Sequence, residues 1–148
     1  MTAPDPLEFM VFNEIGIIDQ LTTHAFTEVL PRGMTQAQFG ILNHFVRLAK
    51  DQESPAKLAN AFQVSRPTMS TTLARLERAG HVEITADPDD GRGKLVRITS
   101  QGRAMREECV RRLAEPLRAV RQAVRPELFE ELRPLLAELR ERLDRMRD

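Results

Sequence analysis

Between Ser54 and Gly102 the spacing of apolar residues switches from helical to alternating, and this switch constrains the fold more than any other feature. Ser54 followed by Pro55 opens a short helix, with Leu58 and Phe62 four residues apart on its inner side. Gln63-Val64 makes a turn, and Ser65 caps the next helix. At about 100° per residue, Met69, Leu73 and Leu76 gather on one side of that helix, and Gly80 ends it. Val82 and Ile84, then Val96 and Ile98, alternate with polar neighbours, which predicts two strands around the loop from Asp87 to Lys94. Glycines 91 and 93 let that loop turn tightly while presenting Arg92 between them. A helix-turn-helix followed by a basic hairpin suits double-stranded DNA. The second helix fits the major groove, and the hairpin reaches a neighbouring groove or the phosphates.

The side of the second helix opposite its apolar triad is short, polar and basic. Thr68, Ser70, Thr71, Ala74, Arg75 and Arg78 collect there. Small hydroxyls allow close approach to base edges and the thymine methyl, and arginines reach guanine or phosphate. The candidate DNA-facing set is therefore Ser65, Arg66, Pro67, Thr68, Ser70, Thr71, Arg75 and Arg78 on the helix, with Arg92 and Lys94 on the hairpin. Solvated caps and local ion pairs are the plainer explanation for these residue types; their shared face and the hairpin behind it favour DNA.

The flanks predict something different. A first helix is expected from about Pro6 to Leu30, before Pro31-Arg32-Gly33 stops it. Leu7, Val11, Ile15, Ile18, Leu21, Ala25 and Val29 follow one helical line, while Phe9, Phe12, Ile17, Phe26 and Leu30 lie off it. A helix apolar on more than one side needs cover on more than one side, which implies a partner subunit. The second helix opens with a capping box between Thr35 and Gln38, and buries Phe39, Leu42 and Phe45 or Val46. Asp51-Gln52-Glu53 reads as a turn. Thr99 or Ser100 caps a long fifth helix running towards Val124, which Pro116 should kink. The last helix starts near Pro126, with Pro134 bending or fraying its first turns. In it Phe129, Leu132, Leu136, Leu139, Leu143 and Met146 form a heptad seam. Leu7, Val11, Phe12, Ile15, Leu132, Leu136, Leu139 and Leu143 are thus the candidate dimerisation residues.

Composition excludes more than it selects. At 148 residues the chain can bury a core, and its 22 basic and 22 acidic residues cancel. Their distribution is uneven: residues 1–53 hold three basic against seven acidic residues, whereas residues 54–103 hold eight against five. The basic excess falls where phosphate binding needs it. A single cysteine, Cys109, excludes an internal disulfide framework and fits a reducing cytosol. No apolar run reaches the roughly 20 residues that span a bilayer, and the N-terminus lacks the basic start of a signal peptide, so a cytoplasmic protein without a membrane partner is expected. His24, His44 and His81 sit on three elements without ligand spacing, so ordinary, partly buried histidines are expected and no metal or other cofactor. With no phosphate loop and no nucleophile–base set, an enzyme is not expected.

In this order the pieces resemble the MarR family of winged-helix transcriptional regulators, over nearly the whole chain. The resemblance is carried by Met34-Thr35-Gln36-Ala37-Gln38-Phe39, by Val64-Ser65-Arg66-Pro67-Thr68-Met69-Ser70, and by Leu73-Ala74-Arg75-Leu76-Glu77-Arg78-Ala79-Gly80. Asp87-Pro88-Asp89-Asp90-Gly91-Arg92 and Ile98-Thr99-Ser100-Gln101-Gly102 complete it. It implies a mainly α protein with a small β-hairpin: a winged helix-turn-helix at residues 34–102, an N-terminal dimerisation helix at 1–33 and C-terminal dimerisation helices at 103–148. It further implies a homodimer with recognition helices in successive major grooves, Arg92 in the minor groove, and Asp90 orienting the wing by pairing with a nearby arginine. Such proteins are usually repressors, and many release DNA when a small aromatic or phenolic effector binds between dimer layer and DNA lobe. A pocket lined by Phe12, Phe39, His44 and Phe45 is one place for it. The oxidant-sensing members keep their reactive cysteine near the N-terminus, which Cys109 does not match. Many members carry arginine where Thr71 stands, and often arginine at the place of Ile84, so no preferred DNA sequence carries over. The zero net charge leaves a second class open, a winged-helix protein-interaction module without specific DNA binding.

Overall fold

The computed structural model describes residues 3–147. The elements run α1 Leu7–Val29, α2 Gln36–Arg47, β1 Gln52–Glu53, α3 Pro55–Ala61, α4 Arg66–Arg78, β2 Val82–Ala86, β3 Lys94–Ile98, α5 Ser100–Arg112, α6 Ala114–Ala123 and α7 Pro126–Arg145. The chain divides after Leu113 into two compact units.

In the first unit, the helix starts follow from side chains that capture free amides. Thr35 accepts from the Gln38 amide at 3.1 Å while the Gln38 carboxamide accepts from the Thr35 amide at 2.9 Å, a complete capping box. Ser54, Ser65 and Thr99 each accept from the amide three residues on, at 3.0–3.2 Å. Gly80, at φ +79, ends the region of α4 in the left-handed conformation that favours glycine. The turn between α3 and α4 places Gln63 at φ 52, its carboxamide donating back to the Asn60 carbonyl at 2.7 Å.

The core lies where α2, α3 and α4 meet the sheet. Ile41, Leu42, Phe45, Leu58, Met69, Leu73, Leu76, Val82, Val96 and Ile98 are all buried within one cluster, with Phe62 and Ile84 packed against it. Burying such a side chain contributes about 1.5–3 kcal/mol, so this layer supplies the rigidity on which the surface of α4 stands. Phe39 is only half-buried, and Ile41, absent from the expected face, replaces it.

Two elements differ from the sequence expectation. The segment expected as a turn, Gln52–Glu53, is a third strand: Gln52 pairs with Arg97 and Glu53 with Val96, giving an antiparallel sheet in the order β1-β3-β2. Two residues are too few to show a period, so only the partner strand reveals them. The long fifth helix is divided in two at Leu113, three residues before Pro116, where a kink was expected. α5 closes at Arg112, with the Leu113 amide donating to the Cys109 and Val110 carbonyls, and α6 begins at Ala114. Pro116 has no N–H, and its ring occupies the space of the Arg112 carbonyl four residues earlier, which is where the helix gives way.

The second unit comprises α6 and α7. Arg125 precedes α7 and donates to both carboxylate oxygens of Glu131 at 2.9–3.0 Å, steadying the start of the helix. Contrary to the expected fraying, α7 is continuous across Pro134. Neither α6 nor α7 has a buried residue, and in the first unit neither does α1.

Candidate nucleic-acid interface

The outward face of α4 is set by its inward one. With Met69, Leu73 and Leu76 locked in the core, the helical repeat turns Ser65, Arg66, Pro67, Thr68, Ser70, Thr71, Arg75 and Arg78 outward, and all eight are exposed. Ser65 bonds Thr68 twice, accepting from its amide at 3.2 Å and donating to its hydroxyl at 2.9 Å, so the first turn is rigid. Thr71 donates to the Pro67 carbonyl at 3.1 Å and Thr72 to the Thr68 carbonyl at 3.2 Å.

The wing is a rigid loop. Asp87 and Gly93 close its base at 3.0 Å, Asp89 donates its amide to the Asp87 carboxylate at 2.9 Å, and the Gly93 amide donates to the Asp90 carbonyl at 2.9 Å. Asp90 acts by a different route from the one the resemblance implies. Its carboxylate accepts the Arg92 backbone amide at 3.1 Å, and among the described residues it forms no ion pair with an arginine. A side chain bonded to the backbone two residues on is a local turn device, and it leaves the Arg92 guanidinium exposed at the tip.

The expected DNA-facing residues fall into separate groups. Arg66 and Ser70 of α4 share a cleft of about 740 Å3 with Arg92 and Lys94 of the wing. Lys57 of α3 lines the same cleft, and sequence reasoning missed it; its position three residues after the Ser54 cap, on an exposed turn, was the available signal. A second cleft of about 490 Å3 joins Ser70 and Ala74 to Arg92 and Lys94. Arg75 and Arg78 are elsewhere. They line a cavity of about 400 Å3 with Arg32, Gln38, His81 and Met105.

That cavity is not the one expected from Phe12, Phe39, His44 and Phe45. Phe45 is fully buried in the core and Phe12 is exposed on α1. His44 packs its ring against Phe62 at 5.4 Å, and burial, then the nearby Arg47 and Lys50 charges, hold its pKa below the ordinary histidine value. His81 is the more telling histidine. Its Nδ1 is buried without a hydrogen-bond partner, and burial lowers its pKa, which favours the neutral ring. His24, expected to be partly buried, is exposed and 3.4 Å from Glu28. Cys109 is fully buried in the last turn of α5, where burial pushes its thiol pKa up and away from reactivity. Among the described residues no cluster of histidine, cysteine or carboxylate side chains could hold a metal, and no helix is long and apolar enough to cross a membrane.

A helix-turn-helix backed by a further helix and followed by an antiparallel wing defines a winged-helix protein of the transcription-regulator class. The comparisons with known proteins narrow this further. A sequence profile of the MarR family matches residues 32–93. Multiple antibiotic resistance protein MarR of Escherichia coli is 33% identical over 107 residues, covering 67% of this chain and 73% of that protein. Transcriptional activatory protein BadR of Rhodopseudomonas palustris is 30% identical over 104 residues, 70% of this chain, and the chain spans only 58% of BadR. The crystal structure of wild-type apo MarR from E. coli matches with a TM-score of 0.73 at 27% identity, covering 93% of this chain and 98% of that one. A MarR mutant complexed with operator DNA matches with a TM-score of 0.69 at 26% identity, covering 91% and 99%. The chain belongs to the MarR family of winged-helix regulators.

Proposed function

We propose that this protein is a cytoplasmic, homodimeric DNA-binding transcriptional regulator: a repressor that holds a pseudo-palindromic operator and leaves it when a small aromatic or phenolic ligand binds. Residues 34–102 form the DNA lobe in this reading, and residues 1–33 and 103–148 supply the dimer layer. The observation that carries it is the exposed polar face of α4, rigid at Ser65–Thr68, sharing a cleft with the wing residues Arg92 and Lys94. Ser65, Thr68, Ser70 and Thr71 face base edges, Arg66 and Lys94 face phosphates, and Arg92 enters the minor groove, where a narrow A·T-rich groove concentrates negative potential. The operator-bound crystal form of the E. coli relative supports the same use of the fold.

Replacing Arg92 with alanine is expected to weaken operator binding by about 1–3 kcal/mol. Fluorescence anisotropy at several salt concentrations measures this, and an unchanged affinity together with an unchanged salt slope would remove the wing from the interface.

Dimerisation draws its support from apolar surface that a lone chain leaves in water. On α1, Leu7 is 71% and Leu21 73% exposed, with Val11 and Phe12 exposed between them. On α7, Leu135 is 62% exposed, with Leu136 and Leu143 exposed on the same helix, and Met146 just past its end is 81% exposed. Apolar patches of this extent mark a protein interface.

The effector reading rests on the cavity of about 400 Å3 beneath Arg75 and Arg78. Arg32, Arg75 and Arg78 surround it with positive charge and Met105 adds an apolar wall, so an aromatic carboxylate fits it chemically. Both Arg75 and Arg78 belong to the recognition helix, so an occupant that engages them draws them away from the duplex. Hydroxybenzoates should release the operator complex of the wild-type protein. The Arg32→Ala variant should bind operator normally and resist that release. Release at the same ligand concentration in the variant would move the effector site elsewhere.

A further inference from the structure

Because β2 is an edge strand, every second amide along it points away from the sheet. One of these, the Ile84 N–H, is met by a side chain from the recognition helix: Glu77 in the last turn of α4 accepts it through Oε2 at 3.1 Å. Ile84 stands opposite Val96, halfway along the β2–β3 ladder. The partner strand β3 is held by β1 through the Gln52–Arg97 and Glu53–Val96 pairs, and the base of the hairpin by the Thr99 amide, which donates to the His81 carbonyl at 3.1 Å, and the Thr99 hydroxyl, which donates to the Gly80 carbonyl at 2.6 Å. Beyond Ile84, among the described residues, the hydrogen bonds of the loop from Asp87 to Gly93 are its own.

We propose that Glu77 is a positioning residue for the wing, whose carboxylate fixes β2 against α4 and thereby sets where Arg92 stands relative to the recognition helix. The inference rests on the DNA-binding reading above. Two features give it force. The loop is internally bonded and carried by β2 and β3 together, so a shift of the edge strand β2 against α4 moves it, with Arg92 at its tip. Glu77 also lines the cleft shared by Ser70, Arg92 and Lys94, so its bond is the tie nearest to the surface that α4 and the wing present together. A carboxylate beside bound DNA repels phosphate, so its presence there calls for a compensating role. A charge-assisted bond to an otherwise unpaired edge amide is such a role.

Substitutions separate the bond from the charge. Glu77→Gln removes the charge but keeps a carbonyl oxygen to accept the Ile84 amide. Glu77→Ala removes both. Affinity is measured with the full-length protein on a duplex recovered by the wild-type protein from a random-sequence pool, alongside amide hydrogen exchange at Ile84. Glu77→Gln is expected to bind within about twofold of wild type, and Glu77→Ala about five- to tenfold more weakly, in the range of one net intramolecular hydrogen bond. Ile84 exchange should accelerate in the alanine variant alone. In an Arg92→Ala background, Glu77→Ala should cost nothing further, because a positioning residue has no effect once the positioned group is gone. Equal affinities for the two Glu77 variants, unchanged Ile84 exchange in Glu77→Ala, or additive losses in the double variant would each overturn the proposal while leaving the DNA reading intact. Wild-type affinity in Arg92→Ala alone would instead overturn the wing reading, and the positioning role with it.

Discussion

Alanine at position 102 is expected to destabilise the protein by about 3 kcal/mol, although it adds one methyl group to a helix. Gly102 lies in the first turn of α5 with its amide donating to the Thr99 hydroxyl at 3.0 Å. Its α-carbon faces the backbone of His81 so closely that a Cβ would fall inside the van der Waals surface of the His81 carbonyl oxygen, and 3.0 Å from Ile98 Cγ1. The obstacle is backbone already engaged by the Thr99 amide, so no side chain can rotate away to make room. α5 would have to lift from the junction where α4 ends and the wing begins. For a chain of this length the loss corresponds to a fall in Tm of roughly 6–12 °C. Thermal melts followed by circular dichroism measure it, and a Tm at or above that of the wild type would mean that this junction is not tight.

The second large effect is expected from charge placed on α7. Leu136→Glu combined with Leu143→Glu should give a folded monomer and lower operator affinity by a factor on the order of 10²–10⁴, because two linked half-site contacts become one. Both residues are exposed in the single chain and neither contributes to the buried core, so helicity should survive. Sedimentation velocity reports the association state, and anisotropy reports the affinity. A variant that still sediments as a dimer and binds as the wild type would show that the α7 seam does something else.

Where local chemistry decided the outcome, the sequence sufficed. The capping box at Thr35 and Gln38, the caps at Ser54 and Ser65, and the inward triad Met69, Leu73 and Leu76 depend on residues within one or two turns of each other, while at α5 the choice between Thr99 and Ser100 fell to Thr99. Non-local geometry escaped it. β1 exists only because Gln52 and Glu53 meet β3, with Asp51 accepting the Ile98 amide at 3.0 Å. The face opposite the core places Arg75 and Arg78 with Thr68, yet only the fold brings Arg32, His81 and Met105 around those arginines and makes a cavity there. The family resemblance made Asp90 half of an ion pair; the tight loop uses it on the Arg92 amide instead. Pro116 announced a disturbance in the fifth helix, and the distance back to the lost carbonyl at Arg112 turned that disturbance into a break.

The central claim is that two copies present their α4 faces together to one duplex, and selection of bound fragments from a random DNA pool tests it most directly. The account predicts enriched sites that are inverted repeats, with half-site centres about 10–10.5 base pairs apart and an A·T-rich stretch where Arg92 enters the minor groove. Recovery of unenriched sequence, or of isolated half-sites with no fixed spacing, would contradict it.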